Sequence, residues 1–274
     1  MQDLIRSTRQ RFSFAWSKFG KKEVERKWYK DSFSYLKYIP AYIFKGKDRI
    51  GLDVGCGSGS DLLNIAQWGA RVVGIDISDT IKVAHENTAV FNNIYIAQGD
   101  IYQLPLKDGI FDFVYSFGVL HHLPHADLAF ESLCAKAKKG GVVIVYVYED
   151  FSERSNLEKF LLALVNSLRI ITTRMPSFLL YFLSIVISPF VFLFCSLPYQ
   201  VLKRIKFTKK LSERIPFRHT VRLDCIVSDL YDRFSPPIEN RYSRKEVENW
   251  FLRLGFEDVN IINHRGWVAW GRKR

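Results

Sequence analysis

The sequence predicts an α/β fold built on a largely parallel sheet. Between residues 48 and 150, short β-branched apolar runs alternate with stretches of helical periodicity. These runs are almost continuously apolar, which is typical of strands that are covered on both faces in a parallel sheet. The alternation stops after Asp150 and resumes near residue 218, so we expect a core that is interrupted once, after its fifth strand.

Seven strands follow from this pattern. The first five are RIGLDVG (49–55), RVVGID (71–76), NIYIAQGD (93–100), FDFVYSFG (111–118) and GVVIVYVY (141–148). Helices are expected over 60–69, 79–91 and 126–138. After the interruption, Ser243 and Glu246 predict the capping box of a further helix. The strands EDVNII (257–262) and GWVAWG (266–271) follow that helix and complete the sheet.

The chain divides into four predicted segments. Residues 1–47 form a basic, aromatic helical arm, and residues 48–150 form the core. Residues 151–217 form an apolar and basic helical insertion, and residues 218–274 complete the core sheet.

The net charge of +12 is unevenly distributed. Lys and Arg outnumber Asp and Glu by 13 to 5 in residues 1–50 and by 10 to 3 in residues 151–214, whereas residues 51–150 are acidic. This pattern indicates either an anionic partner, such as membrane headgroups or nucleic acid, or a solvated basic face without a partner.

The cysteines and the first residues of the chain bear on its compartment. The four cysteines are isolated in the sequence, so we expect no metal site, no disulfide and a reducing cytoplasm. The first residues lack the pattern of a signal peptide.

A glycine-rich turn, DVGCGSGSD (53–61), follows the first strand and opens a helix. Such a turn suits a ligand bound at a helix N-terminus. It lacks the lysine of a Walker loop, and Ser60 occupies the third glycine position of the dinucleotide fingerprint. The pattern of glycines at 55, 57 and 59 after Asp53 instead resembles the loop that binds S-adenosylmethionine (SAM).

With the motifs that follow it, this turn resembles the class I SAM-dependent methyltransferases, and in particular the small-molecule enzymes similar to the ubiquinone and menaquinone C-methyltransferases. The resemblance covers 48–150 motif by motif and 231–272 more loosely, and it implies a seven-stranded Rossmann-like sheet with SAM as cofactor. Lys139 stands where the family usually has proline, in the turn KKGG before strand five.

The resemblance also implies which residues hold the cofactor. Asp76 would accept both ribose hydroxyls, and Asp100 and Ile101 would contact the adenine. The full implied set is Asp53, Gly55, Cys56, Gly57, Gly59, Asp76, Ile77, Asp100, Ile101, Ser116 and Phe117.

His121 and His122 follow the fourth strand, at the sheet edge where ligands bind in this architecture. An imidazole titrates near working pH, so either residue could deprotonate an acceptor. Alternatively, they cap the next helix or satisfy backbone groups of the loop.

The segment LYDRFSPPIENRYS (230–243), with Tyr231 as a third catalytic candidate, is interpreted as a loop that closes over the acceptor. The alternative is a rigid connector.

The fourth motif reads Ser-Phe-Gly-Val, without the Asn/Asp-Pro-Pro-Tyr/Phe turn of enzymes that methylate the nitrogens of bases. We therefore expect an oxygen or carbon acceptor. No RNA-binding module is recognisable in the sequence, which argues against nucleic acid. The alternatives are an RNA methyltransferase and a non-catalytic, membrane-associated SAM-binding protein.

No charged residue occurs between Arg174 and Lys203, and prolines 176, 189 and 198 are expected to divide this apolar stretch into two pieces. Three interpretations are open: a hairpin that enters one leaflet, a soluble cap over an apolar pocket, and a membrane span. The first two predict an apolar, lipid-like or lipid-linked acceptor. The first also predicts peripheral contact of residues 151–214 with the inner face of the membrane.

Overall fold

The computed structural model describes residues 2–25, 35–79, 81–208, 212, 215 and 222–274. The chain divides into two compact units. The core unit comprises Met1–Phe160 and Ile238–Arg274, and the insert unit comprises Leu161–Pro237.

The core unit contains a seven-stranded sheet with the order β3-β2-β1-β4-β5-β7-β6. Its strands are β1 (Ile50–Val54), β2 (Arg71–Asp76), β3 (Ile94–Gln98), β4 (Phe111–Phe117), β5 (Ala137–Val147), β6 (Phe256–Asn263) and β7 (Trp267–Lys273). Strands β1 to β5 pair in parallel, and β7 runs antiparallel to both of its neighbours. The predicted fold class is therefore confirmed.

Nine α-helices lie within the described residues. They are α1 (Gln2–Glu25), α2 (Ser60–Gln67), α3 (Ile81–Thr88), α4 (Ala126–Lys136), α5 (Asn156–Thr172), α6 (Ser177–Val191), α7 (Leu197–Leu202), α8 (Leu223–Phe234) and α9 (Arg244–Arg253). Short 3-10 turns cover Ile101–Gln103 and Leu120–His122. The predicted capping box of α9 is present, with Ser243 and Glu246 each binding the other's backbone N–H.

Both faces of the sheet are buried by apolar layers. On one face, Phe130 of α4 and Phe251 of α9 pack edge to face with their ring centroids 4.7 Å apart. On the other face, Phe44 packs edge to face on Phe113 of β4. This double covering explains why the sequence of the parallel strands is almost continuously apolar.

The turn expected at KKGG (138–141) is instead a bulge inside β5. Phe111 pairs with Ala137 and Phe113 pairs with Val142, so four residues of β5 lie opposite Asp112 alone. Gly140 takes a φ of +75°, and Lys138 Nζ lies 2.5 Å from Asp112 Oδ1. The extra residues are therefore absorbed within the strand.

The expectation that prolines divide the apolar stretch is wrong. Helix α6 passes through a π-helical turn, Phe192–Ser196, directly into α7, and Pro189 lies inside α6. Pro189 has no N–H to give to the carbonyl of Ile185, and the Ser188 hydroxyl donates to that carbonyl instead, at 2.9 Å. Pro198 follows the π-turn closely, and such turns relieve the helical hydrogen-bond ladder locally.

Among the described residues, Ser177–Leu202 is the one continuous helix whose length and apolar composition would allow it to cross a membrane. Its 26 residues correspond to about 39 Å of helix, compared with about 30 Å for a bilayer core.

Candidate functional site

A cavity of about 180 Å³ lies in the core unit, where β1, β2 and β4 end. Seven residues predicted from the sequence line it: Gly55, Asp76, Ile77, Asp100, Ile101, Phe117 and His122. The other lining residues are Ile5, Thr8, Arg9, Phe12, Trp16, Val54, Ile75, Ser78, Gly99, Tyr102, Gly118, Val119 and Leu123. The carboxyl edge of the sheet thus gathers the predicted motifs at one place, as expected for this architecture.

The glycine-rich turn depends on left-handed backbone at three positions. Gly55, Gly57 and Gly59 have φ angles of +86°, +52° and +82°. A Cβ at Gly55 would lie 2.2 Å from Val119 Cγ2, and one at Gly57 would lie 2.9 Å from the Trp16 indole. Glycine is therefore required here for both conformation and space.

Asp76, the last residue of β2, forms hydrogen bonds to the glycine-rich turn and to the residues that follow β2. Its Oδ2 accepts a hydrogen bond from the Gly57 N–H at 2.9 Å, and its Oδ1 accepts one from the Ser78 N–H at 2.8 Å. Each carboxylate oxygen has a further lone pair for another donor. The side chain lines the cavity, so two donors of a ligand can be received there.

Asp100 and Ile101 stand where β3 gives way to a 3-10 turn. Asp100 is the N-cap of this turn, and its Oδ1 accepts a hydrogen bond from the Tyr102 N–H at 2.9 Å. The Ile101 side chain is buried and belongs to the apolar core. Together they give this side of the cavity one carboxylate and one apolar wall.

Four of the predicted cofactor residues, Asp53, Cys56, Gly57 and Gly59, belong to β1 or its glycine turn but are not among the residues that line the cavity. Asp53 and Cys56 are buried, and burial raises the pKa of both, with the negative charge of Asp61 raising that of Asp53 further. Their predicted contact with the cofactor stays a prediction.

Ser116 of β4 is also absent from the cavity lining. It is fully buried, and its hydroxyl donates to the Val54 carbonyl at 2.7 Å. This hydrogen bond joins β4 to the end of β1. Its predicted role as a cofactor residue stays a prediction.

The two adjacent histidines occupy different environments. His122 lines the cavity, and its Nδ1 lies 2.7 Å from the Ile238 carbonyl oxygen. Because a carbonyl oxygen only accepts, Nδ1 must carry the proton, which makes Nε2 the basic nitrogen of neutral His122. The Phe12 ring lies 5.0 Å from the imidazole, centroid to centroid.

His121 is fully buried and is not among the cavity-lining residues. Its ring stacks on Tyr148 at a centroid distance of 3.7 Å, and neither ring nitrogen has a hydrogen-bond partner among the described residues. Burial, with a further contribution from the charges of His122 and Arg241, lowers its pKa well below the usual value. His121 is therefore neutral in the folded protein near physiological pH.

The segment predicted as a loop over 230–243 begins later than expected. Tyr231 is fully buried inside helix α8 of the insert unit, so the irregular stretch starts only at Ser235. Tyr231 is not among the residues that line the cavity, and its catalytic role stays a prediction.

Residues 238–243 of that segment belong to the core unit, and they form hydrogen bonds to the turn that contains His121 and His122. The Asn240 N–H donates to the His121 carbonyl at 2.7 Å, and Asn240 Nδ2 donates to the Leu123 carbonyl at 2.7 Å. With the Ile238 contact to His122, this segment fixes the position of the candidate base.

The contribution of α1 to the cavity is largely absent from the sequence prediction. Ile5, Thr8, Arg9, Phe12 and Trp16 all line it, and Arg9 forms an ion pair with Asp79 at 2.6 Å. Positions 5, 8, 9, 12 and 16 lie on one face of a helix, and this periodicity is the sequence signal for a shared surface. The sequence predicts a basic, aromatic helical arm over residues 1–47, but no motif marks Thr8 or Arg9 as site residues.

Comparison with known proteins places this geometry in a family. Residues 52–145 match the family profile described as a methyltransferase domain. This segment is a methyltransferase domain. It contains the glycine-rich turn, Asp76, Asp100 and both histidines, so the predicted resemblance is confirmed for the part of the chain that carries the motifs.

Relatives of this chain include methyltransferases named for sterols and for demethylmenaquinone. A sterol 4-C-methyltransferase of Caenorhabditis elegans is 31% identical over 99 residues, which cover 35% of this chain and 30% of that protein. A demethylmenaquinone methyltransferase of Staphylococcus aureus is 34% identical over 98 residues, which cover 34% of this chain and 40% of that protein. In such matches the chain spans between 26% and 40% of the relative's length.

Among solved structures, a SAM-dependent methyltransferase from Aquifex aeolicus is 14% identical to this chain. The match covers 92% of this chain and 95% of that one, with a TM-score of 0.50. At this identity the similarity concerns the fold, which is that of the SAM-dependent methyltransferases.

Proposed function

We propose that the protein transfers a methyl group from SAM to an oxygen or carbon of an apolar, lipid-like or lipid-linked small molecule, at the cytoplasmic face of a membrane. One observation carries the proposal. The cavity that is lined by Asp76 and by Gly55 of the glycine-rich turn is otherwise mostly apolar, and His122 lies in its wall.

The residues of the cavity fit the cofactor. Asp76 binds two backbone N–H groups and retains acceptor capacity on both oxygens, which suits two vicinal ribose hydroxyls. Gly55, Gly99 and Gly118 line the cavity without side chains, which lets a ligand approach the backbone closely. Asp100 would meet the exocyclic amine of the adenine, and Ile101 would pack against its ring.

The chemistry divides between cofactor and protein. SAM, when bound, supplies a methyl carbon that is already activated by the positive charge on sulfur. The protein aligns the acceptor, and the apolar walls exclude water. Where the acceptor must lose a proton, His122 accepts it at Nε2, because Nδ1 is engaged with the Ile238 carbonyl.

The apolar character of the acceptor is supported by the cavity wall. Ile5, Phe12, Val119 and Leu123 contribute side chains that favour an apolar molecule. Relatives named for sterols and for demethylmenaquinone each match about a third of the chain. The fourth motif, Ser-Phe-Gly-Val, provides no carbonyl-rich turn for the amine nitrogen of a base.

The proposal is tested by incubating the protein with methyl-labelled SAM and, separately, with total lipid, RNA and polar small-molecule extracts. We expect label in the lipid fraction. Label in RNA alone would overturn the acceptor class, and SAM binding without turnover on any fraction would indicate a non-catalytic protein.

The role of His122 is tested by His122→Gln. With an acceptor that must be deprotonated, we expect kcat to fall by about 10² to 10⁴ with SAM affinity retained. His85→Gln, at an exposed position on α3, is the matched control and should leave kcat unchanged. Unchanged turnover in His122→Gln would remove this residue from the mechanism.

A further inference from the structure

The insert unit has its small polar side chains inside. Helix α6 packs against α8, and its buried residues are Leu180, Ser184 and Ser188, spaced four residues apart along one face. The Ser184 hydroxyl donates to the Leu180 carbonyl at 2.8 Å, and the Ser188 hydroxyl donates to that of Ile185. The serines are therefore satisfied by their own helix and need no water.

The large apolar side chains of the continuous helix Ser177–Leu202 point outward. Phe178, Phe182, Phe190 and Phe194 have exposed fractions of 68%, 58%, 60% and 70%. Other exposed apolar residues along it are Leu179, Ile185, Val186, Ile187, Leu193, Leu197 and Val201. Apolar patches on soluble monomers are rarely this extensive, so this surface indicates contact with another apolar phase.

Helix α5 repeats the arrangement. Its buried residue is Arg169, whose guanidinium donates to the carbonyls of Arg233 and Pro236, the latter at 2.7 Å. The Thr172 hydroxyl donates to the Phe234 carbonyl at 2.9 Å. Leu161, Leu164, Leu168 and Ile171, in contrast, are exposed. Both helices thus bury polar side chains and expose large apolar ones.

Helix α8 shows the usual polarity. Its apolar residues Cys225, Ile226 and Leu230 are buried, whereas Asp229 and Arg233 form an ion pair that reaches solvent. The unit therefore has an apolar surface on α5, α6 and α7 and a charged surface on α8. A helix with charged groups packed along α6 would be costly inside a bilayer core, so this surface suits one leaflet better than a span.

Basic residues border the apolar surface. Lys203, Arg204 and Lys206 are exposed just after α7, and Arg174 is exposed just before α6. The apolar stretch between Arg174 and Lys203 has no charged residue. Exposed cations at both ends of an apolar helix complement the headgroups of an anionic membrane.

We propose that the insert unit is a monotopic membrane-binding module: the apolar surface of α5, α6 and α7 lies in one leaflet of an anionic bilayer, with the basic ends on the headgroups. The inference uses no property of the methyl-transfer site, so its test needs neither SAM nor an acceptor. If it fails, the membrane location in the proposed function falls with it, whereas methyl transfer from SAM to an apolar acceptor can still hold, and the reverse is also true.

The first test is flotation of the full chain with vesicles of phosphatidylcholine, alone or mixed with phosphatidylserine. We expect stronger binding to the mixed vesicles. Phe182→Asp/Phe190→Asp should lower the partition coefficient at least about tenfold, because both side chains are already exposed and the fold should persist. Val90→Asp/Tyr95→Asp, at positions 83% and 55% exposed in the core unit, should leave it unchanged.

The charge component is tested separately. Lys203→Gln/Lys206→Gln should weaken binding to the mixed vesicles by about tenfold and leave binding to phosphatidylcholine unchanged. The exposed pair Lys107→Gln/Lys245→Gln is the matched control and should have little effect. Equal loss in both double variants would contradict a localised basic border.

One leaflet and a span are distinguished by labelling. In a Cys195→Ser background, Arg174→Cys and Lys206→Cys should both react with an impermeant maleimide added outside sealed vesicles. Protection of one end only would establish a span and overturn the monotopic assignment. Lack of vesicle binding, or a detergent-free dimer that loses its self-association in Phe182→Asp/Phe190→Asp, would overturn the membrane as the partner.

Discussion

The core unit buries its phenylalanines, whereas helix α6 of the insert unit exposes them. In the core unit, Phe113, Phe130 and Phe251 are buried on the two faces of the sheet. In the insert unit, α6 buries Ser184 and Ser188 and exposes phenylalanines. A helix that buries small polar groups and exposes large apolar ones is suited to a solvent other than water.

Composition alone therefore does not define the environment of a segment. Both units are rich in Leu, Ile and Phe, and only the position of each side chain in the fold separates them. We expect the surface of the core unit to contact water, which suits a unit with a cavity for a charged cofactor. We expect the apolar surface of the insert unit to contact lipid, which is the proposed source of an apolar acceptor.

The largest expected difference between the two units is in the stability change caused by replacing one phenylalanine in each. Phe251→Ala, at a fully buried site in the core unit, should lower the free energy of unfolding by about 3–5 kcal/mol. Phe182→Ala, at an exposed site in the insert unit, should change it by no more than about 0.5 kcal/mol in water. Chemical denaturation followed by circular dichroism measures both, and equal losses would show that Phe182 belongs to a core.

The packing of the core unit up to the edge of the cavity is tested by two glycines with positive φ. Gly55→Ala and Gly109→Ala both place a side chain in left-handed backbone, at a cost of about 1–2 kcal/mol. Only Gly55→Ala also meets a neighbour, Val119, so it should cost about 1–3 kcal/mol more and weaken SAM binding.

Thermal melts and SAM titration of the two glycine variants make this measurement. Gly109 has no atom within 4 Å of the added Cβ, so it isolates the backbone term. Similar stability of the two variants would show that Val119 can move away from an added Cβ at little cost, so that the packing at this edge of the cavity is loose.

A smaller effect concerns His121, a buried polar residue of the core unit without a hydrogen-bond partner in the described residues. Its folded pKa is lowered, so the unfolded chain binds its proton first as the pH falls below about 6.5. Stability should therefore decrease on acidification below that value, by at most about 1.4 kcal/mol per pH unit from this group.

The measurement is the pH dependence of the unfolding free energy in the wild type and in His121→Leu. The variant should lose this part of the slope and keep the rest. An identical slope in the two proteins would show that His121 does not titrate between the folded and unfolded states.

Much of the fold was predictable because its signals are local. The five parallel strands follow from apolar runs of strand length, and the α9 capping box follows from Ser243 and Glu246 alone. The continuity of α6 and α7 was not predictable from the proline rule. It depends on the Ser188 hydroxyl and on a π-turn, which only the assembled helix reveals.

The site was predictable where a motif supplies it and not where tertiary contacts do. The sequence indicated Asp76 and the pair His121 and His122, but could not say which histidine reaches the cavity. The Ile238 carbonyl fixes His122, and its position 116 residues further along the chain gives no local signal. Arg9 is remote in the same way, because α1 reaches the cavity only through the fold.

Calorimetric titration of the full chain with SAM measures whether Asp76 and the glycine-rich turn hold this cofactor. We predict that the wild type binds SAM and that Asp76→Ala weakens binding by at least about 100-fold, because two charge-assisted hydrogen bonds are lost. Asp48→Ala, at an exposed carboxylate that does not line the cavity, should bind like the wild type. Absence of binding by the wild type, or equal affinity in Asp76→Ala, would contradict the account.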